Sequence, residues 1–181
     1  MSDSFEVERT EPLLRSRVFS VERRTIRHDG ESFTRDVAVH KGAVAILAIN
    51  DAGEVGMVRQ YRSAFDRHLW EIPAGTRDVP GEEPLATAQR ELLEELGCEA
   101  RQWTLLGRFM NSPGWTNQVM VIFEARGLSE RERSPAGPEE ASSEVRWFSL
   151  ADLAELLRAQ DAIDSTTAIA LHRVVGDLLD H

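Results

Sequence analysis

The chain has 181 residues, 41% of them hydrophobic, enough for one sizeable core and one principal domain with room for a small N-terminal addition. Its formal charge of −10 argues against a general nucleic-acid surface, because an acidic protein repels phosphates except where metals or local arginines reverse the field. A single cysteine, Cys98, leaves no disulfide framework and no four-cysteine zinc site, and no run approaches the roughly 18 apolar residues of a membrane span.

The first residues lack a basic segment followed by an apolar run, so neither export nor a membrane is indicated and a reducing cytoplasm fits best. Residues 17–27 and 32–40 alternate around the turn residues 28–31, and 43–50 and 54–61 flank 51–53, which predicts two hairpins. Further strands are predicted at 69–72, 103–109, 119–125 and 145–148, and helices at 151–158 and 165–179. In the last helix Ala168, Leu171, Val175 and Leu178 recur at helical spacing, the pattern of ordinary core packing. Residues 129–143, rich in Glu, Ser and Pro, read as a loop, either a linker or a catalytic lid.

Residues 75–98 are the most informative stretch. Pro84 suits a first helical turn, Glu82 and Glu83 suit the positive end of a helix dipole, and Gly97 can adopt the left-handed conformation that ends a helix. A helix over 84–96 follows. Leu85, Ala88, Leu92 and Leu96 then form one apolar stripe, and Glu91, Glu94 and Glu95 fall within about a 100° arc beside it. On this reading the stripe docks and the acids face outward. Like charges at this spacing oppose one another and only Arg90 lies among them. A solvated acidic face is the plain explanation; a Mg²⁺ or Mn²⁺ ion shared with substrate phosphates is the functional one.

The stretch resembles the Nudix box, the metal-binding loop-helix-loop of hydrolases acting on nucleoside diphosphates linked to another moiety. Residues 90–98, Arg-Glu-Leu-Leu-Glu-Glu-Leu-Gly-Cys, fit its second half without a gap, while Gly75 to Glu82 is one residue longer than the usual spacing. Val58-Arg59-Gln60-Tyr61-Arg62, Trp70-Glu71-Ile72-Pro73-Ala74-Gly75 and Ser112-Pro113-Gly114-Trp115-Thr116-Asn117 look like the ADP-ribose pyrophosphatase branch, of which Pro113, about fifteen residues past the box, is the marker. Gln118 stands where members of that branch often carry Glu.

The resemblance implies an α+β fold, a mixed β-sheet sandwiched between helices. Residues 1–40 would be a small N-terminal β-hairpin extension, trading contacts across a homodimer or serving as an edge hairpin of its own subunit, and 41–181 the hydrolase domain. It also implies metal-dependent cleavage of a small-molecule nucleoside diphosphate, with ADP-ribose giving AMP and ribose 5-phosphate. Another nucleoside diphosphate sugar or a dinucleotide is the alternative, and a non-catalytic nucleotide sensor a more distant one. By the same resemblance Glu91, Glu95 and the backbone carbonyl of Ala74 would hold Mg²⁺, and Glu94 would act through a ligand water or orient Arg90. Glu140 would be the general base, with Glu139 second. Arg62 and Arg59 are candidates for phosphate or ribose oxygens; on an alternating strand only one of them faces the site, and Arg62 is the preferred one. Trp115 and Phe19 are either core aromatics or stacking surfaces for a base, and Gln118 looks to the substrate side.

Overall fold

The computed structural model describes residues 4–133, 142–159 and 163–179, with the side chains of the last helix described as far as Arg173. Among them the order of elements is β1 (Glu6–Arg15), β2 (Phe19–His28), β3 (Glu31–His40), β4 (Ala43–Ala48), β5 (Val55–Arg62), β6 (Arg67–Glu71), β7 (Ala74–Thr76), α1 (Pro84–Leu96), β8 (Cys98–Met110), β9 (Val119–Glu130), β10 (Glu144–Phe148), α2 (Leu150–Ala159) and α3 (Ser165–Leu179).

Residues 43–48, Ala-Val-Ala-Ile-Leu-Ala, carry no polar side chain, so a strand made of them must be covered on both faces. In β4 all six are buried. It pairs parallel with β9 and antiparallel with β7, in a mixed sheet of order β7-β4-β9-β8. Alternation sends Ala45 and Leu47 toward Leu153 of α2 and Leu171 of α3, and Val44 and Ile46 toward Ala88, Leu92 and Leu96 of α1. The sheet is therefore sandwiched between α1 on one face and α2 with α3 on the other. A second sheet, β10-β5-β6, adds Met57 to the first cluster and Val58 to the second. Leu92 is buried completely; truncating it to Ala would cost about 2–5 kcal/mol.

Two expectations are corrected and two extended. The turn at 51–53 forms, with Asn50 Oδ1 accepting from the N–H groups of Ala52 and Glu54 at 3.0 and 2.9 Å, but β4 and β5 then diverge into different sheets and share only the bridge Ile49–Val55. Strand β4 is too apolar to leave either face in water, and a lone hairpin could not cover both. The predicted N-terminal hairpin forms as β2 and β3, and β1 extends it to a three-stranded antiparallel sheet, β1-β2-β3. Strand β1 is exposed at all ten residues and carries mostly charged and polar side chains, so no apolar alternation marks it in the sequence. In α1 the first residue of the apolar stripe, Leu85, is exposed. In α3 Leu171 is buried and Ala168 half-buried as expected, and the buried face also takes in Thr166, Thr167 and Ala170, while the side chains of Val175 and Leu178 lie outside the described residues. Among the described residues no helix is long and apolar enough to cross a membrane.

Candidate active site

Helix α1 has the predicted ends. Pro84 stands in its first turn, and Gly97 at φ 64°, ψ 40° donates its N–H to the carbonyls of Leu92 and Leu93. Glu83 occupies the N-cap without a side-chain cap bond; Glu82 instead accepts from Thr87 Oγ1 at 2.8 Å and lies 3.5 Å from Arg90.

The carboxylates do not face outward as expected. Glu91 is 5% and Glu95 3% exposed, because β7 and β5 lie over that flank of the helix. The chain passes so close at Gly75 that a β-carbon there would fall 1.9 Å from Glu91 Cδ, which is why only glycine fits. Glu95 accepts from two donors, the Ala74 N–H at 2.9 Å and the buried Gln60 side chain at 2.7 Å. Arg90 Nη1 stands 2.8 Å from Glu91 and 3.1 Å from Glu94, so the orienting contact expected between Glu94 and Arg90 is present. Burial works against the Arg90 charge, but Glu91, Glu94 and Glu82 outweigh it and hold its pKa above the ordinary value.

In this arrangement no three acidic, His or Cys side chains converge on a chelating point among the described residues. Arg90 occupies Glu91 and Glu94, and Glu95 is turned to Gln60 and Ala74. The donor chemistry nonetheless fits a hard divalent cation: carboxylate oxygens largely withdrawn from water, oriented by neighbouring N–H groups, with one arginine as the adjacent counter-charge. An ion bound there would compete with Arg90 for Glu91.

Alternation on β5 separates the two arginines. Gln60 and Arg62 share the face toward Glu95, whereas Arg59 points the other way, is exposed and pairs with Glu144 at 3.7 Å. Arg62 donates through Nε and Nη2 to both oxygens of Glu71 on β6, at 2.8 and 2.5 Å. That contact, opposed by burial and helped by Glu71, Glu95 and Asp164 as neighbouring charges, raises the Arg62 pKa.

Beside this lies an open cleft of about 700 Å³. Its walls include Phe65, Asn111, Trp115, Gln118, Ser165 and Ile169, and among the described residues no charged side chain lines it. The box carboxylates are not part of it; the link is the first turn of α3, where Asp164 caps the Thr167 N–H and the Thr167 hydroxyl accepts from the Ile72 N–H. Trp115 is exposed, and its backbone is tied to β3 by the Ala38 N–H at 2.8 Å. Gln118 Oε1 accepts from Asn111 Nδ2 at 3.3 Å. Phe19 is partly exposed on β2 and does not line the cleft. Glu139 and Glu140 lie outside the described residues.

Sequence reasoning gave no role to Gln60, Glu71, Asn111 or Asp164. Gln60 could have been found, since it sits two residues from Arg62 on an alternating strand and so shares its face. The partner of Glu71 could not, because the pairing of β5 with β6 is not written in either strand alone.

A model of the NUDIX domain matches residues 39–169, most of the chain. The chain belongs to the Nudix family and is a Nudix hydrolase. It is 38% identical over 174 residues to an ADP-ribose pyrophosphatase of Mycobacterium tuberculosis (strain ATCC 25618 / H37Rv), covering 94% of this chain and 84% of the relative. It is also 38% identical over 143 residues to an ADP-ribose pyrophosphatase of Bacillus subtilis (strain 168), covering 79% and 77%. Its fold superimposes on the crystal structure of an ADP compounds hydrolase with a TM-score of 0.81 and 25% identity, over 98% of this chain and 95% of the other.

Proposed function

We propose that this enzyme hydrolyses the diphosphate bond of ADP-ribose to AMP and ribose 5-phosphate with Mg²⁺, or Mn²⁺ in its place. The observation that carries the reading is the burial of Glu91 and Glu95 side by side where α1 meets Ala74 and Gly75, which gathers hard carboxylate donors of the kind that suit a divalent cation. The 38% identity to two ADP-ribose pyrophosphatases supports the substrate.

Glu91, Glu95 and the Ala74 carbonyl would hold the metal, which when bound neutralises the diphosphate and stabilises the charge that develops in the transition state. Gln60 and the Ala74 N–H keep the Glu95 carboxylate in one orientation. Glu94 holds Arg90 or a ligand water. Arg62 presents its charge to the phosphates, Glu140 takes the proton of the attacking water, and Glu139 is second for that role. The uncharged cleft takes the sugar or base, with Trp115 as a stacking face and Gln118 and Asn111 as hydrogen-bonding groups. Arg59, on the far face of β5, is left to a role outside this site.

A second reading, hydrolysis of another nucleoside diphosphate sugar or a dinucleotide, draws on the likeness to the ADP compounds hydrolase and on a neutral cleft that would suit several sugars. Residues 1–40 would act as a dimerisation unit in a cytoplasmic homodimer. Leu13 and Leu14 are exposed on that sheet and Val18 in the turn that follows β1, and such a surface is ordinarily covered. Chromatography of the products formed from ADP-ribose with Mg²⁺ tests the reading. AMP and ribose 5-phosphate support it, and an intact substrate refutes it.

A further inference from the structure

Strands β5 and β6 pair in antiparallel register, with Val58 opposite Glu71 and Arg62 opposite Arg67. Arg62 and Glu71 are therefore not cross-strand neighbours; the arginine reaches along the ladder to meet a carboxylate several residues away. The pair is lopsided. The Glu71 side chain is 9% exposed and that of Arg62 40%, so the anion is sunk in the protein and the cation stands at its edge. As a device for joining two strands this is poor, because a buried carboxylate gives up much of its hydration and the attraction does little more than return it. As a device for aiming a cation it is good. Two parallel N–H···O bonds, from Nε and Nη2, fix both the position and the plane of the guanidinium, leaving Nη1 without a hydrogen-bond partner among the described residues.

The surroundings show what the aim guards against. Glu95 and Asp164 also pull on the Arg62 charge. Asp164 spends Oδ1 on the Thr167 N–H, and its buried Oδ2 has no hydrogen-bond partner among the described residues. An arginine not tethered by Glu71 would have two carboxylates to fall upon, one at the cap of α3 and one in the box.

We propose that Glu71 is a positioning residue: by gripping the Nε and Nη2 edge of Arg62 it holds that cation at the substrate diphosphate and off Glu95. The inference rests on the reading of Arg62 as a phosphate ligand given above, and assigns Glu71 no contact with substrate.

Steady-state kinetics with ADP-ribose and Mg²⁺, beside calorimetric titration of Mn²⁺ into substrate-free protein, test it. Glu71→Gln should raise KM about 10-fold or more with kcat changed far less, and should weaken Mn²⁺ binding as Arg62 turns to Glu95. In an Arg62→Ala background the same change should add almost nothing, since a residue that acts only through Arg62 has no effect without it. A folded Glu71→Gln variant with unchanged KM and Mn²⁺ affinity, or effects of the two changes that simply add, overturns the proposal. Should Glu71→Gln fail to fold, Glu71→Asp keeps the charge one methylene short; KM should still rise, and an unchanged KM overturns the proposal equally. If the native protein turns over no ADP-ribose, the functional reading fails by itself, and titration of ADP into metal-free protein still decides. Binding weakened by Glu71→Gln supports the positioning role, and equal binding rejects it.

Discussion

A β-carbon placed on Gly75 would lie 1.9 Å from the carboxyl carbon of Glu91, so the backbone of β7 and the box carboxylate occupy touching positions across the interface with α1. Gly75 is there for space and not for an unusual φ. Gly75→Ala should therefore displace β7 or Glu91, lowering stability by about 1–3 kcal/mol and reducing kcat/KM sharply. Gly53→Asn, at φ 79° with nothing near it, should change both little, because asparagine tolerates that conformation. Thermal unfolding and kinetics on the two variants check the contrast.

In the proposed mechanism the base, Glu140, is a different residue from the metal ligands. Glu140→Gln should lower kcat by about 10²–10⁴-fold while leaving Mn²⁺ and nucleotide affinity nearly intact, and Glu139→Gln should do much less. Titration with a non-hydrolysable ADP-ribose analogue beside steady-state kinetics decides. If Glu139→Gln carries the larger loss the role moves by one residue, and if neither does the base lies elsewhere.

Substrate choice is tested by a panel of ADP-ribose, GDP-mannose, UDP-glucose, NADH and diadenosine polyphosphates. ADP-ribose should give the highest kcat/KM. A tenfold lead for another compound, about 1.4 kcal/mol in transition-state binding, selects the second reading.

The proposed homodimer would use the exposed apolar residues of the N-terminal sheet. Sedimentation should give twice the 20.3 kDa chain mass. Leu13→Asp with Leu14→Asp, both on an exposed strand edge, should shift it toward the monomer without unfolding the body. A monomeric native protein contradicts the dimer.

How much of this was legible in the sequence depended on whether a signal was local. Helix α1 was, to the residue, because Pro84 and Gly97 mark its ends chemically. The last helix was too, at both boundaries, although which face it buries was set by the sheet beneath it. Strand β1 was not, since every side chain is exposed and its pairing with β2 rests on ladder bonds and ion pairs such as Arg27 with Glu8. Nor was the parting of β4 from β5, which depends on parallel pairing with β9 some 75 residues on. In the site, the identity of the box acids was legible and their burial was not, because the covering comes from Ala74, Gly75 and Gln60 on other strands. The same division explains Arg62: its separation from Arg59 followed from alternation, its face and its partner Glu71 only from the fold.

The central claim is that the buried box carboxylates bind the metal on which hydrolysis depends. The most direct measurement is turnover of ADP-ribose by native protein and by Glu95→Gln, each with Mg²⁺ and with excess chelator, beside an unfolding curve for both. Glu95→Gln keeps the shape and removes one charge, so its turnover should fall by several orders of magnitude while folding is preserved or improved, and chelator should abolish the activity of the native enzyme. Near-normal turnover by the folded variant, or undiminished activity in chelator, would contradict the account.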